Sequence, residues 1–211
     1  MRKCFCAYPL SLGCAVLLLI CAALGGCLWV YTAPQKRAQA INIRELLVDP
    51  SVFPPGWEIA EEYPVPEKAL IEDYSAGEGY MRFVVPEGSQ KPWGSSAVHM
   101  MFRYRNHWQA AKAFYLDKFS AFYAYFPDAT SRWEKPEGWT YRSPIADRFR
   151  FACQHFYNKD EGRGMRCSAL AQYDEFISVF MAEFLLDKMS LRDIERILRS
   201  IDEQIASRLG K

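Results

Sequence analysis

The sequence predicts an α+β domain, with an antiparallel sheet and two main packed helices, carried behind an N-terminal transmembrane helix. Three observations predict it. The chain reads in order as strands, a helix, four strands and a long C-terminal helix. A pair of apolar arms, FRFACQHFY and GMRCSALAQ, closes into one hairpin register. An uncharged run from Leu10 to Ala33 precedes everything else. The boundaries expected are 1–33 for the anchor, 34–54 for a linker and irregular lead-in, and 55–211 for the domain.

Composition excludes some function classes. The 211 residues carry 26 Lys+Arg against 25 Asp+Glu, and half of them are hydrophobic, as in an ordinary globular chain. No cluster of cations is present, which removes the electrostatic basis for binding nucleic acid.

The first element is LSLGCAVLLLICAALGGCLWVY, long enough as a helix to cross the roughly 30 Å of bilayer hydrocarbon. Trp29 and Tyr31 fall at the level of an interfacial aromatic belt, and Arg2 and Lys3 keep the N-terminus cytoplasmic. The expected arrangement is a single-pass membrane protein with its domain outside the cytoplasm and the bilayer as its first partner. A cleavable signal would need a shorter apolar core. Leu24-Gly25-Gly26-Cys27 is similar to a bacterial lipobox, which makes Cys27 a candidate lipidation residue, although the apolar run continues through Tyr31. Cys4 and Cys6 admit acylation, with small apolar filler as the plainer role for them and for Cys14 and Cys21.

The lead-in IRELLVDPSVFPPGW has three prolines and a glycine that stop any helix, so Leu46, Val52 and Phe53 should pack irregularly. In YMRFVVP, Met81, Phe83 and Val85 alternate with Tyr80, Arg82 and Val84, and SAGEG supplies a turn from a partner strand at ALIEDY. AVHMMFRYR alternates more cleanly and predicts a half-buried strand, with Val98, Met100, Phe102 and Tyr104 facing inward. Asn106 caps the helix that follows, and Trp108, Ala111, Tyr115, Phe119 and Phe122 recur at helical spacing to about Tyr125, before Pro127 closes it.

Beyond a loop, WTYRS predicts a strand, followed by the hairpin and by FISVFMAEF. That strand is apolar on both faces and belongs in the centre of its sheet. The C-terminal helix opens on Ser190 with Asp193, a capping signature. Leu191, Ile194, Leu198, Ile201, Ile205 and Leu209 form its stripe, which should dock on the sheet of its own domain.

The hairpin carries two cysteines. If Cys153 lies opposite Cys167, the same register sets His155 against Met165, Phe151 against Ala169 and Phe149 against Ala171. Apolar alternation and cysteine pairing are then satisfied together. A zinc site wants four ligands and a redox pair wants CxxC at a helix start, so a structural disulfide is the expected outcome, with free buried thiols as its rival. Outside the cytoplasm the oxidised form persists.

Catalytic signatures are missing from the sequence: no HExxH, GxSxG, phosphate loop or calcium loop occurs, so no cofactor, metal or catalytic residue is assigned. Trp57, Trp93, Trp133 and Trp139 lie in turn-rich segments, where such rings either line a pocket for a ligand or cap the core at strand ends. Two readings of function follow. One is a membrane-anchored extracytoplasmic binding, sensor or assembly domain, with an unidentified protein or small molecule as partner. The other is a small extracytoplasmic enzyme such as a hydrolase, using His155 oriented by Asp147 or Asp174.

The strand AVHMMFRYR running into helix NHWQAAKAF, the strand series, and the helix SLRDIERILRSID together make residues 55–209 resemble PsbP-like α+β domains of bacterial membrane-tethered extracytoplasmic proteins. That resemblance implies binding or assembly more than catalysis, and carries no functional residue across.

Overall fold

A computed structural model describes residues 41–89, 95–116, 119–122, 129–159 and 162–211. The anchor, Cys27 and Trp93 lie outside the described residues. Among the described residues no helix is long and apolar enough to cross a membrane.

Asn42–Lys211 form one compact unit built on a six-stranded antiparallel sheet. Its strands are β1 (Trp57–Pro64), β2 (Glu78–Pro86), β3 (Ser96–Arg103), β4 (Arg148–Asn158), β5 (Gly162–Tyr173) and β6 (Phe176–Leu185). They lie in the order β1-β2-β3-β6-β5-β4. The two main helices are α1 (His107–Tyr115) and α2 (Leu191–Leu209). The domain is therefore α+β, as the order of elements predicts.

Two faces of the sheet are covered by different parts of the chain. On one, α2 lays down Ile194, Ile197, Leu198, Ile201 and Ile205, all buried, and the lead-in adds Ile43, Leu46, Leu47 and Val48 beside it. Gln204 of α2 donates to the carbonyls of Glu45 and Leu47, tying helix and lead-in together. On the other face α1 contributes Ala110 and Ala113, joined by Phe119, Ala121 and Phe122 over Met100, Phe102, Leu170, Ile177 and Val179.

The hairpin adopts the predicted register throughout, with Cys153 opposite Cys167, His155 opposite Met165, Phe151 opposite Ala169 and Phe149 opposite Ala171. A disulfide joins the two cysteines, with their α-carbons 4.0 Å apart. The central placement of FISVFMAEF also holds: β6 lies between β3 and β5, and Phe176, Ile177, Val179 and Phe180 are buried. Ser190 and Asp193 form the full capping box of α2, and Gly210 ends the helix in the left-handed region at φ 68°.

Four local expectations are corrected. ALIEDY is not the partner of β2: Glu67–Ala69 is α-helical and Leu70–Tyr74 π-helical, and β2 pairs with WEIAEEYP. That segment escaped notice because an exposed edge strand shows little apolar alternation. AVHMMFRYR is buried on both faces, since His99 and Met101 lie under the lead-in side as deeply as Met100 and Phe102 lie under α1. WTYRS forms no strand, and Tyr141 and Ser143 are engaged by α2 in place of a neighbouring strand.

Finally, α1 ends at Tyr115, not near Tyr125. Asn106 caps it by accepting from the backbone of Gln109, but the buried face is Ala110, Ala111 and Ala113, while Trp108 and Tyr115 are each 72% exposed. Small side chains let the helix backbone approach the sheet closely. Phe119 and Phe122 do reach the core, from beyond the helix end.

Candidate functional site

Cross-strand pairing places residues from five strands side by side on the α1 face. One rung runs Phe83, Val98, Met181, Ser168, Ala152; the next runs Ser96, Glu183, Arg166, Gln154. Phe83, Val98 and Met181 of the first rung and Ser96, Glu183 and Arg166 of the second floor a pocket of about 170 Å³, walled by Ser120, Ala121 and Trp133 and touching Cys167 and Ala182 between the rungs.

Each wall has a local cause. The segment carrying Trp133 is fixed along the outer edge of β4, where Glu134 and Cys153 exchange backbone hydrogen bonds at 2.9 and 2.8 Å and Ala129 bridges Phe156. Trp133 then meets Phe122 edge-on, with ring centroids 5.8 Å apart. On the floor, Arg166 is held by Glu183 on one side, while its guanidinium sits 4.4 Å over the Phe156 ring. The far edge of that ring lies against Gly164, where an added β-carbon would stand 2.1 Å from Cζ. Glycine at this position lets Phe156 pack beneath Arg166.

The polar atoms around the pocket are unusual. Among the described residues, three buried side-chain polar atoms have no hydrogen-bond partner, namely Trp133 Nε1, Gln154 Oε1 and Ser168 Oγ. Trp133 is a pocket residue, whereas Gln154 and Ser168 stand beside the lining residues Arg166 and Met181 without lining the pocket themselves. Native structures leave few such atoms unpaired, because each costs about 1–3 kcal/mol when desolvated. All three are sealed from solvent on this side of the sheet.

The four candidate tryptophans are not brought together. Trp133 is in the pocket wall. Trp57 begins edge strand β1 and stacks on Phe53 at 5.7 Å. Trp139 is buried on the α2 face, stacked 4.1 Å from Phe151 and donating through Nε1 to the Tyr141 carbonyl. It caps the core, as the second role for such residues requires.

His155 is exposed on the outer strand β4. Its backbone N–H donates to Ser131 Oγ, and its carbonyl accepts from Thr130. Asp147, just before the other end of β4, lies on the order of 26 Å away by strand rise. Asp147 and Asp174 instead flank His107, whose Nδ1 lies 3.9 and 3.6 Å from their carboxylates. Among the described residues, no group of three or more His, Cys, Asp or Glu is placed to hold a metal ion.

Sequence reasoning missed Arg166, Glu183, Ser96 and Ser120 as pocket residues. Val98 was legible as one face of a half-buried strand and Phe83 as one side of an alternating one, but their neighbours are set by the strand order β3-β6-β5, which no local spacing encodes. The tryptophan signal did reach the pocket, through Trp133 alone.

No protein-family model and no curated protein matches the chain. Among solved structures it is similar to the crystal structure of an uncharacterized protein from Mycobacterium smegmatis, the Rv0999 ortholog. Identity is 14%, the match covers 80% of this chain and 97% of that one, and the TM-score is 0.34, too low to carry an argument.

Proposed function

We propose that this chain is a membrane-tethered extracytoplasmic binding domain that takes a small molecule into the pocket beside Trp133. The observation that carries the reading is a preformed, largely apolar hollow walled by Trp133 and Ala121, with the Arg166–Glu183 ion pair as its polar group.

The tether and compartment rest on separate support. The uncharged run from Leu10 to Ala33 has the length of a membrane span, and the Cys153–Cys167 disulfide suits an oxidising compartment. The N-terminus is then cytoplasmic and the domain outside, and the resemblance to PsbP-like domains accords with binding. Hydrolysis through His155 has less support, since that residue is exposed and remote from Asp147.

The test is binding of ring-sized probes, phenol and benzene, to the full chain in lipid nanodiscs. Met181→Trp, which fills the pocket from its floor, serves as the control. Saturable binding that Met181→Trp abolishes is expected; binding of neither probe to the unmodified chain would overturn the reading.

A further inference from the structure

The outer face of α1 is apolar where a surface helix is ordinarily polar. Trp108 and Tyr115 are each 72% exposed and Leu116 is 58% exposed. At 3.6 residues per turn Trp108, Lys112 and Tyr115 fall on one stripe with Leu116 beside it, because Ala110, Ala111 and Ala113 take the side toward the sheet. Exposed apolar residues scattered singly need no explanation, but rings gathered on one helix face mark a contact surface. We infer that this face of α1 docks on the interface of the lipid bilayer, an inference that rests on the membrane tether proposed above and not on the pocket.

Position argues for the bilayer. The apolar run ends at Ala33 and the compact unit begins at Asn42, so the chain between them spans at most about 30 Å when fully extended. Asn42 enters the domain at the end of the sheet where α1 lies. Glu45 pairs with Arg208 at 3.1 Å near the end of α2, Lys211 reaches Asp147 at 3.7 Å, and Asp147 stands 3.9 Å from His107, the neighbour of Trp108. At the other end of α1 the Tyr115 hydroxyl accepts from Arg148 Nε at 3.1 Å, one residue beyond Asp147. A tether this short keeps the α1 end of the domain within reach of the headgroups.

Chemistry points the same way. Trp and Tyr favour the headgroup level of a bilayer, where an apolar ring and a polar edge are both accommodated. Lys112 stands between the two rings and Arg105 precedes the helix, both exposed. The carboxylates at this end already face partners: Asp147 meets Lys211 and the Asp174 backbone N–H at 2.6 Å, and Asp174 lies 3.6 Å from His107. Rings and cations are thus presented together, which suits anionic headgroups.

Fluorine NMR reads the contact, using the full chain labelled with 5-fluorotryptophan in nanodiscs that contain phosphatidylglycerol and a lipid with a nitroxide headgroup. Trp108→Phe, Trp57→Phe and Trp29→Phe assign the three resonances. Trp108 should broaden at least about threefold more than Trp57, which pairs with Pro86 at the far end of the sheet. Lys112→Glu, an exposed change, should reduce the Trp108 broadening, as should replacing phosphatidylglycerol by a zwitterionic lipid. Trp108 no broader than Trp57 while Trp29 is broadened overturns the docking and leaves the tether standing. None of the three broadened overturns both. A Trp108 resonance that shifts with the number of chains per disc, and ignores the nitroxide lipid, assigns the face to a second copy and overturns the lipid contact.

Discussion

The backbone N–H of Val48 donates to Nδ1 of His99 at 2.9 Å, joining the lead-in to the middle of the sheet. With Nδ1 accepting, the ring proton sits on Nε2 and is donated to Ser178 Oγ, also at 2.9 Å. The first contact requires neutral imidazole, and complete burial, reinforced by the Arg82 cation, lowers the His99 pKa to about 3. His99→Ala should therefore cost about 2–4 kcal/mol by urea unfolding, combining a cavity with two stranded hydrogen-bond partners.

The pH profile has two opposed contributions. Below pH 6.5 the unfolded chain protonates His99 while the folded one does not, so stability falls with acidification by up to about 1.4 kcal/mol per unit. Glu175 acts the other way: burial, then the neighbouring Asp174 charge, raises its pKa to about 7, so the folded state holds a proton that the unfolded state releases above pH 4.5. Its stabilisation is complete below 4.5 and is lost as pH rises towards 7. The two slopes offset between about pH 4.5 and 6.5. Unfolding free energies should thus be nearly flat across that window in the native chain. In Glu175→Gln they should fall steadily from pH 6.5 downward, and a flat profile there would contradict the assignment.

Asp202 lies buried in α2 and accepts hydrogen bonds from the hydroxyls of Tyr141, Ser143 at 2.8 Å and Tyr173 at 2.6 Å. Burial and this carboxylate together raise the pKa of both tyrosines. Asp202→Ala should take the acceptor from the Ser143 and Tyr173 hydroxyls, leave Tyr141 only the Leu198 carbonyl at 3.3 Å, and cost roughly 3 kcal/mol, whereas Tyr173→Phe should cost about 1–2 kcal/mol. Thermal unfolding of the two variants gives the comparison.

Gly164→Ala forces the Phe156 ring off its seat, since the added carbon would meet the buried ring and not a movable tip. A loss of about 1–3 kcal/mol is expected. Because Phe156 supports Arg166, the same change should weaken ligand binding, which the neighbouring exposed change Arg163→Ala should not.

Reducing the Cys153–Cys167 bridge should lower stability by about 3 kcal/mol in the chain-entropy picture for a loop of this length. Unfolding with and without reductant measures it.

Residues subject to two constraints at once were readable in the sequence. The hairpin register was fixed because alternation and cysteine pairing demanded the same alignment, and α2 because Ser190 and Asp193 marked its start while its stripe marked its face. Elements with one ambiguous cue were not. Trp108 and Tyr115 keep helical spacing yet face outward, because the sheet needed the alanines between them. β1 is polar because it is an edge. The pocket was illegible for a further reason: Phe83, Val98, Met181 and Arg166 meet only through a strand order that brings β6 between β3 and β5.

The most direct measurement is fluorine NMR of the full chain labelled with 5-fluorotryptophan in nanodiscs, titrated with phenol. The Trp133 resonance is the one missing from Trp133→Phe. It should shift saturably while those of Trp57, Trp108 and Trp139 stay in place. Movement of Trp108 or Trp57 with Trp133 unchanged would contradict the pocket as the binding site.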